Sequence, residues 1–205
     1  MSLPAPDLQP GAAAALAART AARAADEAIA EVAYTLVDSP VGRLVAVATA
    51  RGLARIAYEL ESGGVDAILD DVALRLSPSV VEAPARLDVV RRELDEYFRG
   101  RRRDFGLELD WALTAPGFRR RVLQECVRIP FGTTSTYKQM ALAAGSPRAF
   151  RAAGGALGSN PIPIVVPCHR VLASSGGLGG YTGGLERKRT LLSIVRGLSE
   201  LMSIV

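Results

Sequence analysis

The sequence predicts an α+β chain: an antiparallel sheet with helices, then a mostly helical C-terminal part holding a helix-turn-helix. Three observations predict it. Short runs rich in β-branched residues follow one another from Glu31 to Glu59, separated by turn chemistry. From Asp66 onward, apolar residues recur at helical spacing instead. Two of the later helices are joined by Gly145-Ser146-Pro147, a tight glycine-containing turn. The 205 residues divide into an Ala-rich extension (1–30), a sheet-forming domain (31–110) and a helical domain (111–205).

Residues 1–30 are good helix formers with little bulk to anchor a core, and no function is assigned to them. Strands are expected at 32–38, 43–50 and 53–59, joined by Ser39-Pro40-Val41-Gly42 and Arg51-Gly52 as an antiparallel meander. Helices are expected at 66–76 and 84–98; in the second, Leu87, Val90, Leu94, Tyr97 and Phe98 form a core stripe. A basic turn at 100–104 opens a linker that ends near Ala115-Pro116. The next helix, 117–127, turns Phe118, Val122, Leu123 and Cys126 inward and carries Arg119, Arg120 and Arg121 near its start. Thr136 can cap a short helix, 137–144. A second helix begins at Pro147, with Arg148 and Arg151 followed by the small residues Ala152, Ala153, Gly154, Gly155 and Ala156. The glycine-rich run 174–184 lacks the Lys-Ser/Thr of a phosphate loop; its glycines let backbone approach a planar ligand, beside Tyr181 and Thr182. A helix at 185–195 closes the domain.

Charge is uneven. Residues 111–205 hold 12 Lys+Arg and 3 Asp+Glu, a net +9; residues 1–110 hold 13 and 18, a net −5, returning the overall +4. A basic C-terminal half suggests a polyanionic partner. Two cysteines make no disulfide framework and point to a reducing cytoplasm. One histidine and two cysteines leave too few soft ligands for a structural zinc site, so no metal and no cofactor are expected. No apolar run reaches membrane-spanning length, and the Ala-rich start lacks the basic region of a signal peptide.

The chemistry concentrates at Cys168, which stands beside the only histidine, His169. Prolines and the β-branched residues Ile162, Ile164, Val165 and Val166 precede it, and predict a stiff extended lead-in. A thiol becomes a strong nucleophile as the thiolate, which an adjacent base or electropositive surroundings supply.

The C-terminal half resembles the O6-alkylguanine-DNA alkyltransferases, or methylated-DNA–protein-cysteine methyltransferases. The resemblance rests on Ile164-Val165-Val166-Pro167-Cys168-His169-Arg170-Val171, with Ile129-Pro130-Phe131-Gly132, Tyr137, the run from Arg151 to Gly155, Gly158-Ser159-Asn160-Pro161 and Gly180-Tyr181-Thr182-Gly183-Gly184-Leu185 in the family's order. Asp38-Ser39-Pro40-Val41-Gly42 and the strands after it resemble the family's N-terminal ribonuclease-H-like domain. The resemblance implies a winged-helix-like C-terminal domain and a monomer that approaches double-stranded DNA through the minor groove. It implies one irreversible transfer of an alkyl group per molecule, from O6-alkylguanine to Cys168. O4-alkylthymine is left open.

The resemblance also assigns roles. His169 takes the thiol proton through a water, Asn160 braces the turn before the active segment, and Tyr137 faces the flipped nucleotide. Tyr181, Thr182 and Val171 form the base pocket. Arg151 replaces the extruded base in the duplex, and Arg119, Lys138, Ser146 and Ser174 meet the DNA backbone. The family places a glutamate where this chain has Val195. His169 is therefore expected to lack its carboxylate partner and Cys168 to keep a high thiol pKa. The alternative is a slow or non-catalytic alkylated-base-binding protein on the same scaffold.

Overall fold

The computed structural model describes residues 31–202, with side chains described to Val195; the N-terminal extension lies outside the described residues. Strands β1 (Val32–Val37), β2 (Leu44–Thr49) and β3 (Gly52–Tyr58) form the expected meander. Helix α1 (Val65–Arg75) follows, then β4 (Val80–Glu82), a 3-10 turn at Pro84–Leu87 and α2 (Asp88–Phe98). Sequence reading missed β4, which is only three residues long and pairs parallel to β1, giving the order β3-β2-β1-β4. The C-terminal half contains α3 (Phe118–Val127), β5 (Ser135–Thr136), α4 (Tyr137–Ala143), α5 (Phe150–Gly158), β6 (Val171–Leu172) and α6 (Leu185–Met202). Among the described residues no helix is long and apolar enough to cross a membrane.

The alternation along the strands decides what each face covers. Val32, Val45, Val47 and Ala57 turn to one side and bury Ile68 and Val72 of α1. Ala33, Leu44, Ala46, Ile56 and Tyr58 turn to the other, where they join Leu94 and Tyr97 of α2, Val122 and Cys126 of α3, Ile162 and Leu191 in one continuous cluster. The two halves thus share a core.

The outer edge of β3 carries the join. Leu53 N donates to Glu108 O (2.9 Å), and Asp110 N donates to Leu53 O (2.9 Å). Gly52 is required there: at φ 130°, an added Cβ would stand 2.3 Å from the Glu108 carbonyl oxygen. The expected free linker is therefore partly a paired strand edge. Further along, Ile56 N donates to Pro161 O (2.9 Å), so β3 also holds the start of the cysteine segment.

Thr136 caps α4 as expected, accepting from Gln139 N (3.2 Å) while the Gln139 side chain accepts from Thr136 N (2.8 Å). Helix α5 starts at Phe150 rather than Pro147: Ala149 N donates to Ser146 O (2.9 Å), so residues 146–149 are a turn first. Helices α3, α4 and α5 pack on one another.

Candidate active site

The segment before Cys168 is not the extended strand that its prolines and β-branched residues predict. Val166 N donates to Ile162 O (2.9 Å), closing a turn, and Ile164 adopts φ 75°. That is a strained position for a β-branched residue, costing on the order of 1–3 kcal/mol. Burial holds it there: Ile162, Ile164 and Val166 are fully buried. The chain then makes one 3-10 turn, Cys168–Arg170, before β6 pairs parallel with β5. The local preference for extension loses to tertiary packing.

Asn160 organises this turn. Its Oδ1 accepts from Ile162 N (3.0 Å); its Nδ2 donates to Val166 O (3.0 Å) and to Cys168 Sγ (3.1 Å). Asn160 is buried, so both ends of the amide are committed and the thiol's position is fixed.

Cys168 opens onto a cavity of about 380 Å³ whose other walls are Tyr137, Gly154, Leu157, Gly158, Gly180, Tyr181 and Thr182. The glycine-rich loop reaches it because ring faces replace side chains: a Cβ on Gly179 (φ 68°) would lie 2.4 Å from the Tyr137 hydroxyl. Thr182 Oγ1 donates to Gly158 O (2.7 Å), tying the loop to the end of α5. The Tyr181 hydroxyl lies 2.7 Å from that of Tyr58, at the end of β3. Arg187 stacks on the Tyr58 ring (4.9 Å) and donates to Val41 O and Gly183 O.

The electrostatics hold the thiol neutral at rest. Burial pushes the Cys168 pKa up to about 11, against smaller lowering by the Asn160 bond and the Lys188 charge. Burial, then the charges of Arg170 and Lys188, hold His169 well below its ordinary value, so it is a neutral imidazole. Lys188 is buried on α6 and donates to Val171 O (2.7 Å), Leu178 O and Gly180 O (3.3 Å), fastening β6 to the glycine-rich loop. Arg170 is buried beneath the Phe131 ring (5.1 Å) and donates to Ile129 O (3.0 Å).

Thiolate is the minor form until the pH approaches 11, and no histidine titration intervenes near neutrality. Alkylation of Cys168 by a small neutral electrophile should therefore rise about tenfold per pH unit between pH 7 and 9. A plateau in that range would mean a thiol already ionised.

The structure brings Cys168, Asn160, Tyr137, Tyr181 and Thr182 together. His169 is fully buried beside them, and Val171 is buried without lining the cavity. Arg151, Arg119, Lys138 and Ser174 are exposed and Ser146 is half-buried, all outside the cavity lining. Arg120 and Arg121, by contrast, are used internally: Arg120 donates to Trp111 O (3.0 Å) and Thr114 O, and Arg121 to Ala144 O (3.2 Å). Sequence reading missed Tyr58, Tyr97 and Lys188. A signal existed for Lys188, which falls on the stripe Lys188, Leu191, Leu192, Val195 that α6 buries.

Comparison with known proteins identifies both halves of the chain. Residues 32–111 match the model of the ribonuclease-like domain of 6-O-methylguanine DNA methyltransferase, and residues 117–195 match the model of its DNA binding domain. The chain belongs to the methylated-DNA–protein-cysteine methyltransferase family. It is 39% identical over 165 residues to the Mycolicibacterium paratuberculosis methyltransferase of that name, covering 80% of this chain and 93% of the relative. The Methanosarcina barkeri methyltransferase is 34% identical over 161 residues, covering 78% and 95%. Among solved structures, the Mycobacterium tuberculosis O6-methylguanine methyltransferase superposes with a TM-score of 0.69 at 34% identity, covering 81% of this chain and 93% of that one. The Mycobacterium tuberculosis protein in complex with DNA gives 0.69 at 36% identity, covering 81% and 94%. As a methyltransferase of this family, the chain keeps its cysteine inside a cavity of ligand size.

Proposed function

We propose that this methyltransferase repairs double-stranded DNA by moving the alkyl group of O6-alkylguanine onto Cys168. The observation that carries the reading is the cysteine at the wall of the cavity between Tyr137 and Tyr181, gripped by Asn160. A thiol so enclosed cannot reach a base inside a duplex, so the damaged nucleotide is flipped into the cavity. Sγ attacks the alkyl carbon; the S–C bond forms as the C–O6 bond breaks, and the guanine leaves as its anion and takes up a proton. The thiol proton leaves by way of His169 to solvent. The imidazole serves as a relay, because its surroundings oppose a resting imidazolium.

Tyr137, which lines the cavity with its hydroxyl 3.5 Å from Gly180 O, donates towards the flipped nucleotide, while Tyr181 and Thr182 wall the base. Arg151 fills the gap in the duplex. Arg119, Lys138, Ser146 and Ser174 meet phosphates, and the small residues of α5 let backbone approach the minor groove, where sequence readout is poor. Poor readout suits a lesion that occurs in any sequence. The thioether is stable, so each monomer acts once.

The test is to incubate the full chain with a duplex oligonucleotide holding O6-methylguanine and to weigh the protein. A gain of one methylene on the peptide containing Cys168 supports the reading. Tight binding without any gain would favour the alternative, a binding protein, which the missing carboxylate at Val195 favours.

A further inference from the structure

His169 is fully buried, and its Nδ1 has no hydrogen-bond partner among the described residues. Its Nε2 lies 3.4 Å from the hydroxyl of Tyr97. Helix α6 packs on the Cys168–Arg170 turn, but at the position where the resemblance calls for a glutamate it buries Val195, which has no carboxylate. Among the described residues, the polar side-chain atom paired with the imidazole therefore comes from α2, in the other half of the molecule.

Tyr97 is built to hold one position. It is fully buried, and its ring is boxed by Phe98 (5.7 Å, 76°), Phe105 (5.1 Å) and Phe131 (6.3 Å, 85°). Such contacts fix the ring and hence where the oxygen points. The Arg170 guanidinium lies beside that oxygen and draws the phenol pKa partly back from the rise that burial imposes. A guanidinium can only donate, so it takes one lone pair of the phenol oxygen and leaves the second able to accept from the imidazole.

We propose that Tyr97 is the positioning residue of His169: its oxygen accepts from Nε2–H and thereby holds the imidazole in the tautomer whose Nδ1 lone pair is free. This rests on the alkyl-transfer reading only for its consequence, since the tautomer exists without substrate. A free Nδ1 lone pair is what a proton relay needs, and the unpaired Nδ1 is where it would lie. A valine beside a neutral imidazole then costs less than it would beside an imidazolium, because a phenol, unlike a carboxylate, orients the ring without charging it. The N-terminal half, which otherwise supplies core, would thus set the state of the catalytic base.

The test exploits the single histidine of the chain. The full-length protein is labelled with nitrogen-15 histidine, and the two imidazole nitrogen shifts are read without DNA. The expected result is a protonated Nε2 and a bare Nδ1 in the wild type. In Tyr97→Phe, which keeps the ring and its packing, the tautomers become mixed, and methyl transfer from an O6-methylguanine duplex slows about tenfold, the scale of one lost hydrogen bond. Affinity for the duplex stays unchanged, which separates this from a loss of fold. Nδ1–H in the wild type, or unchanged shifts and rate in Tyr97→Phe, would overturn the proposal. Failure of the wild type to transfer methyl at all would sink the alkyl-transfer reading and leave the tautomer result standing.

Discussion

Cys168→Ser is expected to lower alkyl transfer roughly 10⁶-fold, the scale on which a hydrolase loses rate without its nucleophile. Sulfur is the atom that takes the carbon, and a buried serine hydroxyl is far harder to ionise than a thiol already pushed up to about 11. The substitution disturbs little else. Serine is smaller than cysteine, Asn160 Nδ2 can donate to the new oxygen as it does to Sγ, and the Asn160 bonds to Val166 O and Ile162 N do not involve the side chain exchanged. Stability should change by about 1 kcal/mol, and affinity for DNA by no more than a few-fold. The control is Cys126, fully buried on α3 with its thiol pKa raised well above the ordinary value by burial. Cys126→Ser should keep full stoichiometric transfer. The measurement is the intact mass of each variant after incubation with O6-methylguanine duplex. Transfer by Cys168→Ser would refute the assignment of the acceptor.

What was legible in the sequence was local. The strands of the meander, the helix stripes and the Thr136 cap all rest on spacing within a dozen residues, and each appears within four residues of its expected start. What was not legible depends on residues distant in sequence. Ile164 reads as strand because it is β-branched, yet the shared core holds it at φ 75° inside a turn. Tyr97 reads as one more member of an apolar stripe; only the fold brings its hydroxyl to His169, 72 residues later. Tyr58 reaches Tyr181 across 123 residues. In both tyrosines the available clue was general: a buried phenol needs a partner for its oxygen. That clue says a partner exists without saying which. The site's cysteine came from sequence, whereas its support from the N-terminal half came from packing.

Arg151→Ala is expected to slow repair of O6-methylguanine in duplex about 30-fold while leaving reaction with free O6-benzylguanine within about twofold. Arg151 is the second residue of α5, exposed, with its guanidinium 5.8 Å over the Phe150 ring. It is outside the cavity lining, so removing it leaves Cys168, Asn160 and the base walls where they are. Its proposed work belongs to the duplex alone. Extruding a nucleotide costs a few kcal/mol, and a side chain that occupies the vacated stack offsets part of that. A loss of about 2 kcal/mol corresponds to the 30-fold effect. A free base has no stack to leave, so the same substitution should not touch it. Arg151→Lys separates charge from shape. Lysine keeps the charge but lacks the planar guanidinium that can stack between bases, and should recover affinity for DNA more fully than rate. The two rates are measured side by side, by mass shift for the duplex and by single-turnover benzylation for the free base. Equal losses on both substrates would place Arg151 in the chemistry of the cavity and remove it from the duplex.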